Sequence, residues 1–267
     1  MKKVGIVVNK DKDNGLLYTS QVTEFLSQLG VCVHVYMVEN FESIHEGIEF
    51  LVVLGGDGTM LRVCATAAIS DTPVVGINLG KLGFLTDVDK EVGTAALVKI
   101  LKGECAKEKR MLIEADFPSA EPINAGARIA VNEVNIYGAG TLTEFSLYVN
   151  EYPIDVFRAD GLLVSTPTGS TAYNLSAGGP IIAPTAKMMV LTPVAPHNLR
   201  TRPIVICEND TVRVVVRGDA RLIIDGVNRG FITSGHGVFV QKSKYCTTIL
   251  RTTPSNIYKT LRKKKLL

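Results

Sequence analysis

The stretch "FLVVLGGDGTML" (Phe50–Leu61) runs an unbroken apolar segment into three glycines and a lone acid. An apolar run without polar alternation reads as a strand covered on both faces. The glycines permit a tight turn, and "TMLRVCATAAI" (Thr59–Ile69) reads as a helix. Strand, turn and helix make the repeating unit of a parallel sheet covered by helices. The turn falls at the carboxyl end of its strand, where such sheets take their ligands.

Neighbouring segments repeat this rhythm. "KVGIVVN" (Lys3–Asn9), "VCVHVYMV" (Val31–Val38) and "TPVVGINLG" (Thr72–Gly80) read as further strands. "TSQVTEFLSQLG" (Thr19–Gly30) sets Val22, Phe25, Leu26 and Leu29 at helical spacing and ends on a glycine. "TAALVKILKG" (Thr94–Gly103) closes this part as a helix. The first expected domain is therefore α/β with a parallel, Rossmann-like sheet, residues 1–103.

The pattern then changes. Runs such as "RIAVNEVNIY" (Arg128–Tyr137), "FSLYVN" (Phe145–Asn150), "GLLVST" (Gly161–Thr166) and "TVRVVVRG" (Thr211–Gly218) are short and β-branched. Turn segments such as "PSAEPINAG" (Pro118–Gly126) separate them. This predicts an all-β, sandwich-like domain over residues 104–251, with one short helix at "TAYNLSAGG" (Thr171–Gly179). Residues 252–267 form a basic tail with helix-like spacing, expected to dock back on the first domain.

Composition narrows the class. The chain has 267 residues, 46% hydrophobic and 21% charged, enough for a sizeable core. A net charge of +3 is too small to argue for nucleic acid. No apolar run reaches the ~20 residues that cross a bilayer. The start, "MKKVGIVVNK", reads as a first strand, which places the protein in the cytoplasm. Five scattered cysteines, without a C-x-x-C pair, read as reduced core thiols. Four histidines without ligand spacing leave no side-chain metal site.

Three motifs carry chemistry. In the first, the helix after Gly56-Asp57-Gly58 offers unpaired N–H groups to phosphate. Neither a Walker pattern nor G-x-G-x-x-G is present. Asp57 would repel phosphate unless it accepts a proton or binds a metal; the plain alternative is that it caps the helix. Arg62, one turn on, either neutralises phosphate or is solvated. In the second, "ADGLLVSTPTGSTAYNLSAGGP" (Ala159–Pro180), hydroxyls including Thr168 and Thr171 surround a glycine at a helix start. Tyr173 adds a face for a base. Just before it, Arg158 and Asp160 share a strand face, as an ion pair or as two handles in a cleft. In the third, "AVNEV" (Ala130–Val134), Asn132 and Glu133 are neighbours on a strand. Both can serve one ligand only if the strand ends or bulges there.

Together "GGDGTMLR", "GINLGKLGFLTD" (Gly76–Asp87), "VNEV", "DGLLVSTPTGSTAYNLSAGGPI" and "LTPVAPHNL" resemble the NAD kinases, from about Val4 to Arg251. GGDGT alone also occurs in lipid kinases; the long second block is far more specific. The resemblance implies transfer of the γ-phosphoryl of ATP, with Mg²⁺ or another divalent cation, to the 2′-hydroxyl of NAD's adenosine ribose, giving NADP. It implies an active site between the two domains and a homodimer or homotetramer. It implies that Asp57 accepts the hydroxyl proton and that Asn132 and Glu133 hold NAD. Asp160, Thr171, Ala172, Tyr173 and Ser176 would line the dinucleotide pocket, and Gly56, Gly58 and Arg62 would meet phosphates. Asp225-Gly226-Val227 departs from the family's frequent Asp-Gly-Gln. The competing readings are a GGDGT kinase with a lipid or sugar acceptor, and a dinucleotide sensor without catalysis.

Overall fold

The computed structural model describes residues 1–80, 83–86, 88–118, 125–140, 142–198, 200–253 and 256–266. Two compact units divide the chain: Met1–Lys109 with Cys246–Leu267, and Arg110–Tyr245.

The first unit contains β1 (Lys3–Val8), α1 (Leu17–Gln28), β2 (Cys32–Met37), β3 (Phe50–Gly55), α2 (Asp57–Ile69), β4 (Val74–Asn78), β5 (Val88–Asp89) and α3 (Gly93–Leu101). β1 pairs in parallel with both β2 and β3, and β3 with β4. The spatial order β2-β1-β3-β4 reverses between β1 and β3. This topological switch point is where open α/β sheets bind ligands, and the Gly55–Thr59 turn lies on it. α1 and α3 cover one sheet face: Val22, Leu26, Leu97 and Ile100 pack with Ile6, Val52 and Ile77. The start of α1 is fixed by Asp13, whose carboxylate accepts from the amides of Tyr18 (3.0 Å) and Thr19 (2.8 Å). β3 is buried along its whole length, as its unbroken apolarity requires.

β6 (Ala106–Asp116) carries the chain into the second unit. There follow β7 (Ile129–Ala130), β8 (Glu133–Gly138), β9 (Thr143–Val149), β10 (Tyr152–Ala159), β11 (Gly161–Ser165), α4 (Tyr173–Ser176), β12 (Met188–Val194), β13 (Ile204–Cys207), β14 (Val212–Arg217), β15 (Ala220–Ile224), β16 (Val227–Ile232) and β17 (Gly237–Arg251). The order β13-β12-β11-β8-β15-β16 makes one antiparallel sheet. β10, β9, β14 and the first part of β17 pair antiparallel beside one another. Val134, Ile136, Leu162, Leu191 and Leu222 of the first group and Phe145, Leu147, Val214 and Val238 of the second share one core. Each fully buried side chain of this size contributes roughly 1.5–3 kcal/mol. This is the expected sandwich. The end of β17 returns to the first unit, where Ile249 pairs with Val74, and α5 (Ile257–Lys263) follows.

The structure corrects two expectations. Among the five cysteines only Cys64 is buried; Cys207 is exposed on the edge strand β13. The run Arg128–Tyr137 is not one strand: it breaks between Ala130 and Glu133. Of the expected turn Pro118–Gly126, positions 119–124 lie outside the described residues, as do 81, 82 and 87 of the Gly76–Asp87 motif and 199 of "LTPVAPHNL".

Candidate active site

In the first unit the structure rejects capping as the role of Asp57. Gly56 occupies the N-cap of α2, and Asp57 is the first helical residue. Its carboxylate turns to the segment Gly83–Thr86 instead. Oδ2 accepts from the Phe84 amide at 2.7 Å; Oδ1 accepts from the amides of Leu85 (3.0 Å) and Thr86 (3.2 Å) and from Thr86 Oγ1 (3.3 Å). Gly83 makes this approach feasible, since a Cβ there would lie 1.9 Å from Oδ1. The segment is braced from behind. Arg251, at the end of β17, donates from Nη1 to the Leu85 carbonyl (3.2 Å) and from Nε to Glu108 (3.1 Å). Lys264 lies 4.9 Å over the Phe84 ring. Gly56 and Gly58 face open space. Arg62 is exposed and has no ion pair among the described residues.

In the second unit the other two motifs meet. β8 begins at Glu133, so Asn132 lies in the bend before it. That break satisfies the condition for both residues to serve one ligand. Strand pairing sets Ser165 opposite Glu133. The Thr166 amide donates to the Asn132 carbonyl (2.8 Å) and its hydroxyl to the Val131 carbonyl (2.6 Å). Gly169 then packs on the Asn132 backbone so closely that a Cβ would sit 2.1 Å from its carbonyl oxygen. Gly169→Ala should therefore destabilise the protein by about 1–3 kcal/mol, read by urea unfolding.

The hydroxyl-rich segment is mostly self-supporting. Thr168 is buried and accepts from the buried Arg110 at 3.1 Å. Thr171 Oγ1 donates to the Thr168 carbonyl (3.3 Å). Asn174 donates to the carbonyls of Ser170 and Pro180 (3.1 Å each) and accepts from Thr192 (2.6 Å). Ala172 is half-buried, while Tyr173 and Ser176 are exposed. Partial burial raises the Tyr173 phenol, and the charges of Tyr137, Asp160 and Glu133 add to that rise. Arg158 does not pair with Asp160. It pairs with Glu144 at 3.5 Å, its cross-strand neighbour.

Asp225 joins this site from the β15–β16 turn. Asp225 and Gly226 both have positive φ (47° and 80°), the conformation that two-residue hairpins favour. The carboxylate thereby accepts from three successive amides, Val131 (2.7 Å), Asn132 (2.7 Å) and Glu133 (3.1 Å). Sequence reasoning gave Asp225 itself no role. The Asp-Gly pair between two β-branched runs was the signal that places it.

Burial pushes the Glu133 carboxyl from 4.5 up to about 8, with the charge of Asp225 adding to it. Burial also pushes Asp225 from 3.8 up to about 6, against the three amides and Arg229, which lower it. Each acid thus holds its proton in the folded protein where the unfolded chain has released it. Stability therefore falls as pH rises through this window. Urea unfolding should give higher stability near pH 5 than near pH 8. Glu133→Gln should remove most of that difference.

With the fold and geometry in place, comparison with known proteins defines the class. The family profile of the ATP-NAD kinase N-terminal domain matches residues 38–105, and that of the ATP-NAD kinase C-terminal domain matches residues 131–252. The chain is 36% identical to an NAD kinase of Caldanaerobacter subterraneus over 280 aligned positions, covering 99% of each chain. It is 34% identical to one of Lachnoclostridium phytofermentans, again covering 99% of each. An NAD kinase from Archaeoglobus fulgidus, solved in complex with ATP, is 26% identical, with a TM-score of 0.80 and 98% of each chain covered. Yeast NADH kinase complexed with NADH, 20% identical, shares the fold with a TM-score of 0.82, over 98% of this chain and 87% of its own. The protein is a phosphotransferase of two-domain build. It belongs to the NAD kinase family.

Proposed function

We propose that this chain transfers the terminal phosphoryl group of ATP to the 2′-hydroxyl of the adenosine ribose of NAD, giving NADP. One observation carries the reading: Asp57 stands at the sheet's switch point with its oxygens fixed by backbone donors. Oδ1 takes three donors and Oδ2 one. Each carboxylate oxygen offers about two acceptor sites. Oδ2 therefore has room for the hydroxyl whose proton it accepts. Phosphoryl transfer depends mainly on positioning and charge neutralisation, with a base orienting the nucleophile. Gly56 and Gly58 give the phosphates room, and Arg62 supplies positive charge.

Asn132, Glu133, Asp160, Thr171, Ala172, Tyr173 and Ser176 form the dinucleotide side, supported by their convergence within one unit. Arg158 is a candidate handle there in exchange with Glu144. No three His, Cys, Asp or Glu side chains among the described residues converge on a metal position. A divalent cation fits here as one carried by the phosphates of ATP, where it neutralises charge.

Purified protein with ATP, Mg²⁺ and NAD should form NADP, and lipid or sugar acceptors should neither react nor compete. Tight NAD binding without turnover would overturn the catalytic reading. We also read the protein as a homo-oligomer. The edge strand β10 exposes Tyr152, Ile154 and Val156, and exposed apolar edges favour pairing. Sedimentation velocity decides this.

A further inference from the structure

Asp57 is held by one short segment, and that segment is held in turn from its far side. The Thr86 amide donates to Oδ1 at 3.2 Å. The same peptide group carries the Leu85 carbonyl, which accepts from Arg251 Nη1 at 3.2 Å. This peptide is trans, so its N–H and C=O point in opposite directions. Arg251 and Asp57 therefore grip one peptide plane from its two edges. The Leu85 amide, one residue back, donates to the same Oδ1 at 3.0 Å. Two of the amides on Asp57 thus flank or belong to the unit that Arg251 holds.

Arg251 is itself fixed. It is buried at the end of β17, just past Ile249, which pairs with Val74 of β4. Its Nε and Nη2 each lie 3.1 Å from Glu108 Oε1 on β6. A guanidinium presents its donors in a rigid planar fork, so the Glu108 pair aims Nη1 at the Leu85 carbonyl. A hydrogen bond from a charged donor is stronger than a neutral one, and bonds in series polarise one another. The guanidinium therefore orients the Leu85–Thr86 peptide and strengthens its N–H as a donor to Asp57. It does this without touching the carboxylate. A direct ion pair would occupy lone pairs of the carboxylate, whereas a relay through the peptide leaves Oδ2 with the Phe84 amide alone.

We propose that Arg251 is a positioning residue for Asp57, acting through the Leu85–Thr86 peptide. The inference rests on the reading of Asp57 as the proton acceptor.

The test uses the full chain. Arg251→Met should lower kcat for NADP formation about tenfold while KM for NAD and for ATP stays within about twofold. In an Asp57→Asn background the same substitution should change kcat by less than about twofold, because the group it positions is gone. Equal losses in the two backgrounds would show a merely structural role and overturn the proposal. If Arg251→Met fails to fold, Arg251→Met with Glu108→Leu takes its place, since removing both members of a buried pair leaves no orphan charge. Hydrogen exchange reads the contact without activity. The Thr86 amide should exchange about tenfold faster in the variant, relative to the amides of β3. An unchanged Thr86 amide in a folded variant would overturn the proposal, as would a crystal structure of the unaltered protein without the Arg251–Leu85 bond. Should the unaltered protein form no NADP, the functional reading fails, and the exchange of Thr86 still decides whether Arg251 holds this peptide.

Discussion

Asp57→Asn should lower kcat for NADP formation by about 10²–10⁴, the range that general-base catalysis supplies. The substitution conserves shape, so binding of ATP and NAD should change little. The loss has two sources that can be separated. A carboxamide keeps one acceptor oxygen and points an NH₂ group at donors. Either the Phe84 amide on one side or the Leu85 and Thr86 amides on the other then lose their acceptor. Thr86→Val probes the support of the carboxylate alone, since it removes only the 3.3 Å hydroxyl bond to Oδ1 and keeps the three amide bonds. We expect it to cost less than tenfold in kcat. Steady-state rates with a circular dichroism check on the fold measure both. Near-normal turnover in a folded Asp57→Asn protein would remove Asp57 as the proton acceptor.

Much of this arrangement is legible in the sequence because it rests on local rules. A short unbroken apolar run bounded by glycines reads as a strand buried on both faces, and β3 is one. Period-two, β-branched runs mark the sandwich strands. What was not legible depends on contacts between distant residues. Asp57 reads as an N-cap from its neighbours, yet its partners lie at Phe84, Leu85 and Thr86. Arg158 sits two residues from Asp160, yet strand pairing hands it to Glu144. Nothing local signals that Thr168 accepts from Arg110, 58 residues earlier. Periodicity leaves open whether the strand ends or bulges at Asn132 and Glu133. The break follows from Asp225, which draws three consecutive amides out of the ladder.

That last contact has the largest expected effect on stability. Asp225→Ala strips the acceptor from the amides of Val131, Asn132 and Glu133 at once. A buried donor left unsatisfied costs roughly 1–3 kcal/mol. The three losses are offset in part, because the carboxyl itself is costly to bury and sits up at about 6. We expect a net loss of about 3–5 kcal/mol. Conformation adds to it: Asp225 has φ of 47°, a region that Asp and Asn tolerate and Ala resists. Asp225→Asn keeps one acceptor and the favoured backbone, so it should lose only about 1–2 kcal/mol. Both variants remove the negative charge beside Glu133, one of the causes that raise its carboxyl. The pH at which Glu133 titrates should therefore fall in both, while stability separates them. Equal unfolding midpoints in urea for Ala and Asn would show that neither the remaining acceptor nor the turn conformation matters. A gap in stability with a common shift in the pH profile of NAD affinity would establish that Asp225 has two separable roles. Its oxygens end the strand so that Asn132 and Glu133 can face one ligand, and its charge helps keep the Glu133 carboxyl protonated.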